Sequence, residues 1–124
     1  MLKLQDLTIT LHNQSKIEAF LVEHPGSMFR AMLTLPVSSA RMVSWHELLQ
    51  PHKDAAGAFK WVIGHAASFC KRIGTTMDEI VNAAEGEFIS GADQLRIVQT
   101  EGIAVNIRVN GSVLKNSSPS EIGA

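Results

Sequence analysis

Apolar and polar residues alternate with a period of two near the N-terminus of the chain. Leu7, Ile9 and Leu11 occupy every second position, and threonine or histidine fills the positions after them. Because successive side chains of a β-strand point to opposite faces of a sheet, this pattern predicts a first strand with one buried face. The segment from Met28 to Leu35 alternates in the same way and predicts a second strand.

The residues between these strands indicate a helix. Ser15 and Glu18 have the spacing of a capping box, in which each side chain satisfies a free backbone N–H at the start of a helix. The Pro25–Gly26 pair would end this helix. A second capping box, made by Ser44 and Glu47, predicts another short helix.

The long segment from Ala55 to Ile73 has the three-to-four-residue spacing of a helix with one wide buried face. Asp54 is placed to cap its N-terminus. Gly57, Gly64 and Ser68 lie on another side, where small side chains would let a second backbone come close. The predicted buried face consists of Phe59, Val62, Ile63, Ala66, Phe69, Cys70 and Ile73.

A further helix is predicted directly after Gly74. Thr76 and Glu79 form a third capping box, and the predicted helix runs from Met77 to Ala84. Two helices joined by a short turn at a glycine have the outline of a helix-turn-helix.

Strand patterns return in the C-terminal third of the chain. Alternation over residues 94–109 predicts a β-hairpin, and Asn110–Gly111 suits a type I′ turn into a short strand from Ser112 to Lys115. The predicted fold is therefore one α+β domain over residues 1–115. Its mostly antiparallel sheet combines the N-terminal strand, the second strand and a C-terminal meander, with the helical middle segment packed on one face. Residues 116–124 are polar and aperiodic, which predicts a flexible tail.

Composition narrows the possible classes of protein. A chain of 124 residues with 45% hydrophobic content can bury one core without disulfides. A net charge of -1 gives no overall attraction to nucleic acid or anionic lipid. No segment reaches the roughly twenty apolar residues of a membrane span. The single cysteine and the lack of an apolar leader favour the reducing cytoplasm.

The chain shows no assembled constellation for catalysis, and we expect no cofactor and no metal site. An enzyme would have to be built on Cys70 or His46. Cys70 belongs to the predicted buried face of the long helix, where a thiol is structural and not nucleophilic. The chain also lacks a phosphate-binding glycine loop and the histidine spacing of a helical metal site. Enzymatic activity is therefore the least favoured function.

Charge is segregated along the sequence. Five basic and two acidic residues lie between Arg41 and Arg72, whereas six acids and one arginine lie between Asp78 and Glu101. Opposite patches of this kind can steer a protein partner or drive self-association. The first hypothesis is accordingly a non-enzymatic interaction or assembly protein that binds another protein or itself. Its candidate contact residues are Trp61, Met28, Arg30, Met32, Asp78, Glu79, Glu85 and Glu87.

The alternative hypothesis is a winged helix-turn-helix regulator that binds DNA. It would use the helices over 55–73 and 77–84, with the hairpin over 94–109 as the wing. Acidic side chains on the second helix would face phosphates and weaken binding, so this hypothesis ranks below the first. The candidate DNA contacts are Lys71, Arg72, Thr76, Asn82, Arg96 and Arg108.

Overall fold

The computed structural model describes residues 3–24, 28–38, 41–47, 54–83 and 89–114. Within these ranges the chain forms seven strands in one sheet and two helices. The strands are β1 (Lys3–Leu11), β2 (Lys16–His24), β3 (Met28–Ser38), β4 (Arg41–Glu47), β5 (Met77–Asn82), β6 (Asn106–Val109) and β7 (Ser112–Leu114). The helices are α1 (Ala55–Ile73) and α2 (Gly91–Thr100).

The strand order across the sheet is β4-β3-β2-β1-β5-β6-β7. Neighbouring strands are antiparallel except for β5 and β6, which are parallel. The chain runs through β1 to β4 as a meander, and α1 then carries it from the edge of the sheet back to the position beside β1. A parallel pair needs a crossover connection, and α2 supplies it between β5 and β6. The predicted α+β class with a mostly antiparallel sheet is confirmed.

Both helices pack on one face of the sheet, where the core lies. Paired positions place Ile17, Ile9, Ile80 and Ile107 side by side across β2, β1, β5 and β6. All four side chains are fully buried, as is Phe59 of α1. Burial of such branched and aromatic side chains is the main stabilising contribution in this fold.

The long helix forms with the predicted bounds. Asp54 caps its N-terminus, and one carboxylate oxygen accepts a hydrogen bond from the backbone N–H of Gly57 at 2.8 Å. Gly74 ends the helix in the left-handed conformation with φ 76°. Ile73, predicted to face the core, is 46% exposed instead because it lies in the last turn, at the open end of the helix. The predicted close approach at Gly64 is also wrong, since a Cβ there would meet nothing within 4 Å.

The segments around the first two capping boxes are strands, so the helix predicted after Ser15 is wrong and the helix predicted at Ser44 does not begin there. The residues after Glu47 that this second helix would include lie outside the described part of the chain. Ser15 closes a turn in which its backbone N–H donates to Asn13 Oδ1 at 3.0 Å. The next residues alternate between buried Ile17 and exposed Glu18, so that β2 pairs with β1 on one side and β3 on the other. Ser44 lies within β4, which pairs with β3. In both segments the backbone N–H and C=O groups form hydrogen bonds with neighbouring strands and not within a helix.

The predicted helix over 77–84 is also wrong, because residues Met77 to Asn82 form β5. This strand lies between β1 and β6, and Ile80 and Asn82 point into the core. The side chains of β5 alternate between the two faces of the sheet, as expected for a strand with a partner on each side. The capping-box spacing of Thr76 and Glu79 therefore does not start a helix here.

The predicted hairpin over 94–109 is wrong, because its first arm is helical and β6 pairs with β5 in parallel. Residues Gly91 to Thr100 are α2, whose N-cap Ser90 accepts a hydrogen bond from the backbone N–H of Asp93. Only β6 is a strand in this range. The turn at Asn110 and Gly111 is confirmed, with positive φ angles of 51° and 81°. The predicted tail over 116–124 lies outside the described residues.

Neither helix in the described part of the chain combines the length and the apolar character that a bilayer span requires.

Candidate functional site

The sheet has a second face, against which no helix of the described residues packs. We call it the helix-free face. Its side chains come from the alternate positions of the strands, opposite to those that line the core. Those described along β1, β2, β3, β5 and β6 are Asp6, Thr8, Thr10, Lys16, Glu18, Phe20, Val22, Arg30, Met32, Thr34, Glu79, Val81, Asn106 and Arg108.

An apolar patch lies on this face. Phe20 on β2 is paired with Met32 on β3, and Val22 follows Phe20 on the same side of β2. All three side chains are half-buried. On its other side Phe20 is paired with Asp6 of β1, whose Oδ1 is buried without a hydrogen-bond partner. A buried carboxylate oxygen without a donor is unfavourable, so a donor from outside the described residues would stabilise this position.

The described charged side chains on the helix-free face are of both signs. Arg108 of β6 donates from Nε to Glu79 Oε1 of β5 at 3.0 Å. The basic residues are Lys16, Arg30 and Arg108, and the acidic residues are Asp6, Glu18 and Glu79. Among the described residues, three charges of each sign give no net attraction to phosphate groups, which require a surplus of positive charge.

The interaction candidates predicted from the sequence are divided between this face and other parts of the molecule. Arg30, Met32 and Glu79 lie on the helix-free face. Met28 begins β3. Phe20, which forms part of the patch, was missed because its segment was predicted to be a helix.

The remaining interaction candidates lie elsewhere. Trp61 is half-buried on α1, and its ring stacks on His65 with 4.2 Å between the centroids. Asp78 is exposed at the start of β5, 3.6 Å from His12. Glu85 and Glu87 lie outside the described residues.

The six candidate DNA contacts do not form one surface. The second helix of the proposed helix-turn-helix is β5, so the recognition helix that this hypothesis needs is not formed. Lys71 and Arg72 lie in the last turn of α1, whereas Arg96 pairs with Asp93 on α2. Thr76 is exposed just before β5. Arg108 is already bound to an acidic neighbour on the sheet, as described above.

Asn82, the remaining DNA candidate, is buried in a network of three amide side chains. Its Oδ1 accepts hydrogen bonds from Gln5 Nε2 at 2.9 Å and from Gln94 Nε2 at 2.8 Å. The backbone N–H of Ile89 donates to Gln5 Oε1 at 3.2 Å, and Gln94 Nε2 donates to Ile89 O at 3.1 Å. The network joins β1, β5 and α2, and we assign it a structural role. The sequence contains one indication of this network. Gln5 occupies the same alternate positions of β1 as the buried Leu7, Ile9 and Leu11, and it therefore points into the core.

Cys70 is buried on α1, as predicted, and burial raises the pKa of its thiol. The thiol borders a mostly apolar cleft of about 350 Å³, which lies between the end of α1, the start of β5 and Ile103. A raised pKa keeps the sulfur protonated and weakens it as a nucleophile. The side chain of His46 lies outside the described part of the structure.

Within the described residues, no three His, Cys, Asp or Glu side chains come together as possible metal ligands. The chain has no significant similarity to a protein-family model, to a curated protein or to a solved structure.

Proposed function

We propose that this chain is a non-enzymatic interaction or assembly domain, which binds another protein or copies of itself through the helix-free face of its sheet. The observation that carries the proposal is the apolar patch on that face. An antiparallel sheet with one solvated face normally places polar side chains there. Here Phe20, Val22 and Met32 are neighbours on the outward side, and Val81 adds a further apolar side chain on β5.

The residue types on the face favour a protein partner. Aromatic residues, methionine and arginine are enriched in protein interfaces, and Phe20, Met32 and Arg30 lie on adjacent strands. Nucleic acid is disfavoured because the described charges of the face cancel. Cys70 supports a role without covalent chemistry, since its thiol is buried and kept protonated. A single unpaired cysteine also fits the cytoplasm, where thiols stay reduced.

A matched pair of lysine substitutions tests the proposal. Met32→Lys places an ammonium group in the apolar patch, and Ser68→Lys places the same group on an exposed position of α1. Each protein would be used as bait in a lysate and measured by light scattering at two salt concentrations. We expect the wild type and Ser68→Lys to keep a bound protein or a common oligomeric mass. Met32→Lys should lose it, because burying an unpaired charge is unfavourable.

Circular dichroism and thermal unfolding of the three proteins show whether Met32→Lys remains folded. The proposal is wrong if the folded wild type is a monomer that captures no protein. It is equally wrong if Met32→Lys keeps every interaction of the wild type.

A further inference from the structure

We infer that the partner of the helix-free face is the same face of a second copy of this chain, so that two sheets pack face to face in a two-fold dimer. The inference rests on the proposed function and names its partner. It is supported by the shape of the face, by its area and by its charges.

The shape of the face favours another sheet as its partner. Seven strands at a spacing of about 4.8 Å make it about 29 Å wide. A single helix, about 10 Å across, would cover only a third of that width. Two sheets with the same hand of twist pack closely when their strands lie within about 30° of each other. A second copy has an identical twist and identical strand lengths, so it meets this requirement.

The area of the face is sufficient for a stable dimer. With a rise of about 3.3 Å per residue and about 4.8 Å between strands, the seven strands present roughly 800 Å² on each side. Stable protein interfaces cover about 800 Å² on each partner. A partner must therefore cover most of the face to bury about 800 Å² on each side. The same face of a second copy has the same breadth and can do this.

The charges of the face are complementary to themselves. Glu18 and Lys16 alternate along β2, and Glu79 is paired with Arg108 across β5 and β6. A second copy therefore meets both signs of charge and is not repelled. Asp6 has an oxygen without a hydrogen-bond partner, and the exposed Lys16 of the second copy could donate to it.

Analytical ultracentrifugation of the full chain tests the inference. At ~100 µM, above the micromolar upper end of dissociation constants for interfaces of this size, we expect twice the mass of the 13.5 kDa chain. Thr8 lies on the central strand β1, so Thr8→Arg places two like charges inside the contact. Because opposed like charges in an interface are strongly unfavourable, Thr8→Arg should weaken dimerisation about 100-fold or more.

Ser68→Arg on the outer surface of α1 is the matched control and should remain a dimer. Val81→Arg, at the position paired with Thr8, repeats the test if Thr8→Arg does not fold as judged by circular dichroism. A monomeric wild type overturns the inference, and so does a folded Thr8→Arg variant that dimerises like the wild type. If the wild type is a monomer whose capture of another protein is lost in Thr8→Arg, the second copy is ruled out while the proposed function stands.

Discussion

Asn82 is a polar residue in an inward position of β5, and its whole hydrogen-bonding capacity is used. The amide nitrogen donates to Gln94 Oε1 at 3.0 Å and to Arg108 O at 3.2 Å, while the oxygen accepts from Gln5 and Gln94. A carboxamide has two donors and two acceptor sites, so none remains unsatisfied. This complete pairing explains how a polar side chain can lie in the core.

The network makes Asn82→Asp strongly destabilising. The substitution preserves the shape but replaces the donating nitrogen with an oxygen, which then faces two acceptor oxygens. We expect a loss of about 3 kcal/mol in the free energy of unfolding at pH 7, measured by urea denaturation. Asn110→Asp is the matched control, since Asn110 is exposed in a turn that aspartate tolerates. Equal stability of the two variants would show that the network contributes little.

Cys70 should make stability depend on alkaline pH. Burial raises the pKa of its thiol above the ordinary value of 9.0, so the folded protein keeps a proton that the unfolded chain loses. This contribution to stability is fully present below pH 9 and is lost as the pH rises toward the folded pKa, with a slope of at most about 1.4 kcal/mol per pH unit. The difference in unfolding free energy between the wild type and Cys70→Ala should therefore shrink above pH 9. A constant difference across this range would contradict the assignment.

Gly64 within α1 and Gly74 at its C-cap are two glycines for which the same substitution should have opposite effects. Gly64 is exposed in the middle of the helix, and an added Cβ would meet nothing within 4 Å. Gly64→Ala should stabilise the protein by about 0.5–1 kcal/mol, because alanine loses less backbone entropy in a helix. Gly74 also has open space around it but has a φ of 76°, so Gly74→Ala should cost about 1–2 kcal/mol. Thermal unfolding of both variants measures the two signs, and a destabilised Gly64→Ala would mean that an unseen surface approaches there.

Local sequence patterns predicted those elements in which the conformation favoured by the local sequence is also the one that packs in the fold. Asp54 and Gly74 mark the two ends of α1, and the dipeptide at Asn110 fixes the turn into β7. They failed where a capping-box spacing coincided with a strand. Ser15 precedes β2, which pairs with its sequence neighbours β1 and β3, and Thr76 precedes β5, which pairs with the distant β1. In both cases the pairing with other strands decides the structure, and a four-residue pattern does not show it.

The same failure explains why the candidate face was only partly predicted. Arg30 and Met32 were found because β3 was assigned correctly. Phe20 was missed because its segment was predicted to be a helix, although on β2 it points away from Ile17 and from the core. In α2, Gln94 and Val98 are buried one helical turn apart, a spacing that the apparent alternation of Leu95 and Ile97 obscured.

At the scale of the whole molecule, β1 joins two parts of the sheet. It pairs with β2 of the N-terminal meander on one side and with β5 of the C-terminal part on the other. The amide network strengthens this junction, since its three members lie on β1, β5 and α2. Because α1 also contacts β2, β3 and β5, neither part has a core of its own. The molecule should therefore unfold as one cooperative unit.

A matched pair of isoleucine substitutions tests this cooperativity. Ile80 is fully buried on β5 beside Ile9 and Ile107, whereas Ile73 is 46% exposed. Ile80→Ala should lower the free energy of unfolding by about 2–5 kcal/mol, and Ile73→Ala should change it by less than about 0.5 kcal/mol. In native-state hydrogen exchange, Ile80→Ala should reduce the protection of β2 and β6 equally, because both lose protection only through global unfolding. Reduced protection of β6 with unchanged protection of β2 would show that the C-terminal part opens on its own.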